Sequence, residues 1–220
     1  MENARQLLIY TRAFFKESLK SSIKTFSLSY GSASPFRKRR RVYDAEKSSE
    51  MICHLREHFD TNELLNVLHV LDPLDRAGNC HEYAMVAIDH GVQARIPNIW
   101  LVGQNLHQFL VLADSAGFND LTVNEFCQYE DSSFWVCDPW FNIHCKMHLY
   151  HLMVMGKSTQ WEHEGKEIYI DDNNTEPASV WSNRLLLEKM QFIKMTDSEG
   201  QPTDNWKPIS HPSAPPESYW

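Results

Sequence analysis

The chain has 220 residues, 42% of them hydrophobic and 23% charged, with 29 acidic against 21 basic side chains and a net charge of −8. These values suit one sizeable globular core and exclude disorder throughout. The acidic balance also excludes a general nucleic-acid binder, which needs a surplus of Lys and Arg over much of its surface.

No apolar run approaches the roughly 18 to 20 residues that cross a bilayer, so no transmembrane segment is expected. Residues 1–30 lack the compact apolar block and small-residue cleavage site of a secretory signal. Five cysteines (Cys53, Cys80, Cys127, Cys137, Cys145) follow no regular spacing. They fit free thiols in a reducing, cytosol-type compartment better than a disulfide framework.

In chain order, Leu7, Leu8, Tyr10, Phe14, Phe15, Leu19 and Ile23 keep near-helical spacing and predict a helix over residues 3–27. Gly31-Ser32-Ala33-Ser34-Pro35 breaks it. The basic run Arg37-Lys38-Arg39-Arg40-Arg41 then reads as a solvated linker, with phosphate or acidic-lipid binding or a localisation signal as alternatives. Residues 46–58 and 61–71 predict two more helices, the second capped by Thr61 with Glu63 in its first turn. Residues 1–71 are thus expected to form an N-terminal helical extension, an accessory layer.

The character then changes. Asp72-Pro73-Leu74-Asp75-Arg76-Ala77-Gly78-Asn79 is a turn-rich approach to a helix that starts at Cys80 and ends near Gly91. Residues 99–102 and 108–112 are strand-like, 121–129 a short inserted helix and 134–137 another strand. A helix over 148–155, a strand over 166–170 ending at Asp171-Asp172-Asn173-Asn174, and a helix over 181–193 complete a core of residues 72–195. From Thr196 onward Pro, Ser, Asp and Gly dominate, which predicts a flexible tail over 196–220.

Three polar residues stand at element ends. Cys80 opens a helix rich in small residues, where unsatisfied N–H groups favour negative charge. Along that helix Cys80, Tyr83, Ala84, Ala87, Ile88 and Gly91 share a face that lets a sheet approach closely. His107 stands at the mouth of the apolar run Gln108-Phe109-Leu110-Val111-Leu112 and shares its side with Phe109 and Val111. Asp138 closes Phe134-Trp135-Val136-Cys137-Asp138 just before Pro139. A thiol, an imidazole that moves its proton and a carboxylate that orients the imidazole form a nucleophilic triad.

Gly78-Asn79-Cys80-x-Glu82-x-Ala84, His107-x-Phe109-Leu110-Val111-Leu112 and Trp135-Val136-Cys137-Asp138-Pro139-Trp140 together resemble the core of the papain-like and transglutaminase-like superfamily, over about residues 72–142. In particular the pattern resembles the bacterial effector branch, with its glutamine deamidases and cysteine proteases injected into host cells. The resemblance implies an α+β fold with a central Cys-bearing helix packed on an antiparallel sheet. It implies Cys80 as nucleophile, His107 as base and Asp138 as orienting acid, with no metal or organic cofactor. The substrate implied is a carboxamide of a partner protein in a host cell, deamidated or transamidated at Gln. Cysteine proteolysis and a non-catalytic interaction module retaining the fold are the alternatives.

Two departures from the family pattern bear on chemistry. Residues 113–133 separate the His and Asp strands, and no Gln precedes Cys80 as an oxyanion donor. The Cys80 backbone N–H would then act with a second donor, for which Asn79 and Gln104 are candidates. Trp140, with Trp135 and Phe141, lines a substrate groove or packs the core. His81 and Glu82 read as exposed first-turn residues that cap the helix. His144, Cys145, His148 and His151 have helical spacing for zinc, but no second ligand pair matches them, and an exposed His-rich segment is the preferred reading.

Overall fold

A computed structural model of the chain describes residues 2–114, 119–128, 133–171 and 174–206. Among these residues it is an α+β protein with seven α-helices and two antiparallel sheets. The helices are α1 (Glu2–Phe14), α2 (Pro35–His58), α3 (Thr61–Val70), α4 (Cys80–Gln93), α5 (Val123–Phe126), α6 (Tyr150–Glu164) and α7 (Ala178–Leu187). Five strands, β2 (Ile99–Gly103), β3 (Gln108–Leu112), β4 (Trp135–Asp138), β5 (Ile143–Lys146) and β8 (Gln191–Lys194), form one sheet in the order β5-β4-β3-β2-β8. The strands β1 (Lys24–Phe26), β6 (Lys166–Asp171) and β7 (Asn174–Pro177) form the second sheet, with β6 in the middle.

The long connection after β3 does not part its flanking strands. β3 and β4 pair directly, Leu110 opposite Cys137 and Val111 opposite Val136. Opposite residues of an antiparallel pair point to the same face, so alternation puts Phe109, Val111, Val136 and Asp138 on one side. Helices α1 and α4 pack on each other and on this sheet. Gly91 marks a close approach of α4 to β2 and α1. A Cβ there would lie 2.3 Å from Ile99 Cδ1 and 3.3 Å from Leu7 Cδ2.

Several sequence expectations fail for identifiable reasons. The helix expected over 3–27 stops at Phe14, and residues 24–26 pair with β6 instead. Ser18 Oγ donates to Phe15 O at 2.9 Å and accepts from Lys20 N at 3.0 Å, so a side chain takes over backbone partners and turns the chain. The basic run is no linker: it lies in the first turns of α2. Pro35 occupies the start of that helix and Ser34 Oγ accepts from Arg37 N at 3.3 Å, so the Ser-Pro pair that ends one pattern begins the next. Asp60, not Thr61, caps α3: its Oδ1 accepts from Glu63 N at 3.0 Å, and Glu63 Oε2 accepts from Asp60 N at 3.1 Å.

Downstream, the apolar stripe over 181–193 divides. Leu185 and Leu186 belong to α7, whereas Ile193 sits in β8 opposite Leu101. Strand β5 departs from the exposed His-rich segment read over residues 144–151: it pairs with β4, and Cys145 is buried. Residues 196–206 are not a loose tail. Thr196 Oγ1 donates to Ile96 O at 2.8 Å and accepts from Ile99 N at 2.9 Å, and Trp206 is buried. The remaining residues of the expected tail, 207–220, lie outside the described residues, as do the bulk of 129–133 and all of 115–118 within the expected insertion.

The N-terminal residues are part of the main core rather than a layer over it. Ala4 and Leu7 of α1 belong to the same buried cluster as Leu65 and Leu68 of α3, Ala84 and Ile88 of α4, and Phe109 and Val136 of the sheet. Leu7→Ala is therefore expected to lower stability by about 2–5 kcal/mol, the range for deleting a buried leucine side chain. Urea unfolding followed by far-UV circular dichroism should show one cooperative transition, shifted as a whole.

Candidate active site

The thiol is placed by how α4 begins. Cys80 is its first residue and is half-buried. Behind it, Glu82 is fully buried; its Oε2 accepts from Asn79 N at 2.7 Å, supplying a partner to a helix-start N–H. Arg56 of α2 grips that carboxylate with both ends of its guanidinium, Nε to Oε1 at 2.8 Å and Nη2 to Oε2 at 3.0 Å. Glu82 thus caps the helix as its position suggests, but from a buried and not an exposed place.

Asn79 is clamped from the other side. Its Oδ1 accepts from Ser21 Oγ at 2.8 Å and Ser22 N at 3.1 Å, and its Nδ2 donates to Ser22 Oγ at 2.9 Å. These contacts turn the Asn79 amide toward residues 21–22, so it serves as an anchor for the helix start and not as an oxyanion donor. The neighbouring His81 Nδ1 lies 2.9 Å from Gln108 Oε1, tying the first turn of α4 to the first residue of β3.

His107 is the last residue of the four-residue turn between β2 and β3, which Gln104 N closes by donating to His107 O at 2.9 Å. Its ring is buried, with Trp140, Phe141, Phe109 and Trp181 centroids 5.3, 5.4, 5.9 and 6.0 Å away. In that apolar box His107 Nε2 meets Asp138 Oδ2 at 2.8 Å. Nδ1, the other ring nitrogen, is buried without a hydrogen-bond partner, and the Cys80 thiol is close enough to act on the ring electrostatically.

Asp138 is fully buried and accepts three hydrogen bonds. Besides His107, Tyr150 OH donates to Oδ2 at 2.7 Å and Phe141 N donates to Oδ1 at 3.0 Å. Burial works against the charge of Asp138, yet the His107 charge and these donors hold its carboxyl below the ordinary value. For His107 burial is again the largest influence and pushes the ring down. The Asp138 charge and hydrogen bond, with a smaller contribution from Cys80, overcome it and raise His107 to about 9. Burial, then the adjacent carboxylate, lifts Tyr150 well above its ordinary value, so it remains a donor.

The other candidates fall away from the chemistry. Gln104 spends its amide on Leu185 O at 3.1 Å and Glu188 O at 2.9 Å, where α7 ends. Trp140 is buried and borders a cavity on the side of Lys24. It donates from Nε1 to Ser21 Oγ at 3.1 Å and packs against the His107 ring. Cys145 stands on β5, His148 in a single turn of 3₁₀ helix and His151 on α6, so their spacing is not that of one helix. Among the described residues no three His, Cys, Asp or Glu side chains are grouped to hold a metal ion. Tyr150 and Arg56 are the participants that sequence reasoning missed. Neither lies at a diagnostic spacing from Asp138 or Cys80, whereas the Phe141 N–H contact follows from an Asp opening a turn.

Two outcomes follow. Arg56→Ala leaves Glu82 buried with its backbone partner but no cation, and should cost roughly 1–3 kcal/mol; it stays below the range of a fully buried pair because half of the guanidinium is exposed. Urea midpoints of the variant and wild type measure it. The second concerns pH. His107 is raised on folding, so its contribution is complete below its unfolded value near 6.5 and is lost as pH rises through about 9. The wild-type urea midpoint should therefore fall across that window, and the fall should be smaller in His107→Gln.

No protein-family model matches this chain, and neither a curated protein nor a solved structure matches it. No helix among the described residues is long and apolar enough to cross a membrane.

Proposed function

We propose that the chain is a thiol enzyme of the papain-like and transglutaminase-like kind, with Cys80 as nucleophile, His107 as acid and base, and Asp138 as the group that orients the imidazole. The observation that carries this reading is the buried His107–Asp138 pair at 2.8 Å. It fixes one ring nitrogen and leaves the other without a hydrogen bond on the ring that the Cys80 thiol influences. A structural histidine buried this deeply would be expected to satisfy both nitrogens.

The reaction runs in two halves. The Cys80 sulfur attacks as thiolate on a carboxamide carbon, its proton resting on His107. The developing oxyanion is met by the unsatisfied N–H groups of the first turn of α4, the Cys80 N–H first among them. As the tetrahedral adduct collapses, the carbon–nitrogen bond breaks and His107 passes its proton to the departing ammonia. A thioester remains. Water then attacks it, giving one proton to His107, and the carbon–sulfur bond breaks to release the thiolate and a carboxylic acid, whose remaining proton passes to the released ammonia. An amine in place of water gives transamidation.

By the same resemblance the substrate is a Gln carboxamide on a protein of a host cell, reached by a bacterial effector. Three features support thiol chemistry on such a group: the half-buried thiol at a helix start, the imidazole held protonated opposite it, and an apolar box that keeps water from the His–Asp bond.

Proteome-wide mass spectrometry of cells expressing wild type or Cys80→Ala should reveal a Gln peptide heavier by about 1 Da only with wild type, the mass of exchanging ammonia for water through a thioester. Cys80-dependent new peptide termini would assign peptide-bond cleavage instead, and the absence of either change would contradict the enzyme reading. On an identified substrate, Asp138→Asn should lower kcat by about 10²–10⁴-fold, as in other triads whose orienting acid is neutralised.

A further inference from the structure

The net charge of the chain is −8, yet one cavity of about 460 Å³ is lined by eight Lys or Arg side chains and a single carboxylate, Asp44. The cations converge from separate elements. Arg37, Arg40 and Arg41 come from one side of α2 at i, i+3 and i+4. Lys20 and Lys24 come from the segment around β1, and Arg12, Lys157 and Lys166 from α1, α6 and β6.

Internal neutralisation is partial. Arg37 and Lys166 share Glu164 at 3.3 and 3.2 Å, and Arg40 stands 4.0 Å from Asp44. Among the described residues, Arg12, Lys20, Lys24, Arg41 and Lys157 pair with no carboxylate. Lys24 Nζ lies 3.5 Å from the Trp140 ring centroid and 4.4 Å from that of Trp161, and it donates to Trp140 O at 2.5 Å. Beside it, Thr25 lines the same cavity, is 3% exposed, and leaves its Oγ1 buried with no hydrogen-bond partner. A buried hydroxyl without a partner, beside a surplus of cations only partly offset by Asp44, Glu164 and Asp138, is the pattern of a site built to receive an acceptor.

The electrostatics agree. Burial, then Arg12, with Lys166 and Arg41, drives Lys24 well below the usual lysine range against the opposing charge of Asp138. Burial, then Arg12 and Arg41, lowers Lys20, and burial also lowers Arg41. Gathering like charges in a recess works against the fold unless an anion offsets it.

We propose that this cavity binds a compact polyanion bearing clustered phosphate groups, carried by a free small molecule or by a lipid headgroup. The Arg40 guanidinium suits phosphate oxygens, Arg41 adds charge while its terminal nitrogens hold Leu19 O and Ser21 O, Lys20 and Lys24 act as point charges, and Thr25 Oγ1 donates. One phosphate would not engage cations from five elements; several linked phosphates would. The volume lies within the range of small-molecule sites. The site is separate from the thiol chemistry but shares Trp140 and Ser21 with its support.

Isothermal titration of the full chain with sodium tripolyphosphate and with inositol hexakisphosphate tests this, alongside sedimentation with phosphatidylcholine vesicles with and without a phosphoinositide. Saturable one-site binding of a soluble probe assigns a free ligand, and binding only to phosphoinositide vesicles assigns a lipid headgroup. The double variant Arg40→Gln, Lys157→Gln should bind at least tenfold more weakly while retaining the wild-type circular dichroism spectrum, and Arg41→Gln provides a second variant should the first unfold. Cys80→Ala should bind as wild type does, so the result is independent of the enzyme reading. Failure of every probe to bind, or equal binding by a folded charge-neutralised variant, would overturn the proposal.

Discussion

A carboxylate without solvent exposure has to be hydrogen-bonded on several sides, and much of this structure supplies Asp138 with its donors. His107 comes from the β2–β3 turn, Tyr150 from the start of α6 and the Phe141 N–H from the turn after β4. Each donor belongs to a different element, so one buried charge fixes the mutual positions of the sheet, the turn and a helix. Removing any one donor would leave the charge short of partners, a penalty larger than the net value of the bond that held it.

A second constraint acts on the thiol. Cys80 is held through the residues on either side of it: Asn79 by Ser21 and Ser22, His81 by Gln108, and Glu82 by Arg56. The N-terminal region therefore contributes to the site as well as to the core. Ser21 also accepts from Trp140, whose ring walls the imidazole, so the segment before β1 supports both halves of the proposed chemistry. The same ring carries Lys24 and borders the basic cavity, which places polyanion binding and the His107 box on one shared aromatic support.

How much of this is legible in the sequence depends on whether the signal is local. Strand β3 and the start of α4 are marked by short apolar patterns and by Gly-Asn before Cys80, and both lie where those patterns place them. The meeting of His107 with Asp138 is visible only as two polar residues at strand ends; the direct pairing of β3 and β4 across a long connection is not. Arg56 and Ser21 act over tens of residues and Tyr150 over twelve, and none carries a spacing that announces it. Periodicity misleads at residues 181–193, where helix and strand residues happen to share one apolar stripe, and at residues 37–41, where a charge run conceals a helix start set by Ser34 and Pro35. Burial of Glu82 and Trp140 is likewise decided by tertiary neighbours, not by their own side chains.

The central claim is that the His107–Asp138 pair activates Cys80, and alkylation kinetics address it most directly. Cys53 is exposed on α2 and serves as an ordinary thiol within the same molecule. With iodoacetamide at about pH 6, where an ordinary thiol is almost wholly protonated, peptide mass spectrometry should find Cys80 modified at least tenfold faster than Cys53. That advantage should disappear in Asp138→Asn. Equal rates at Cys80 and Cys53 in the folded wild type would contradict the account.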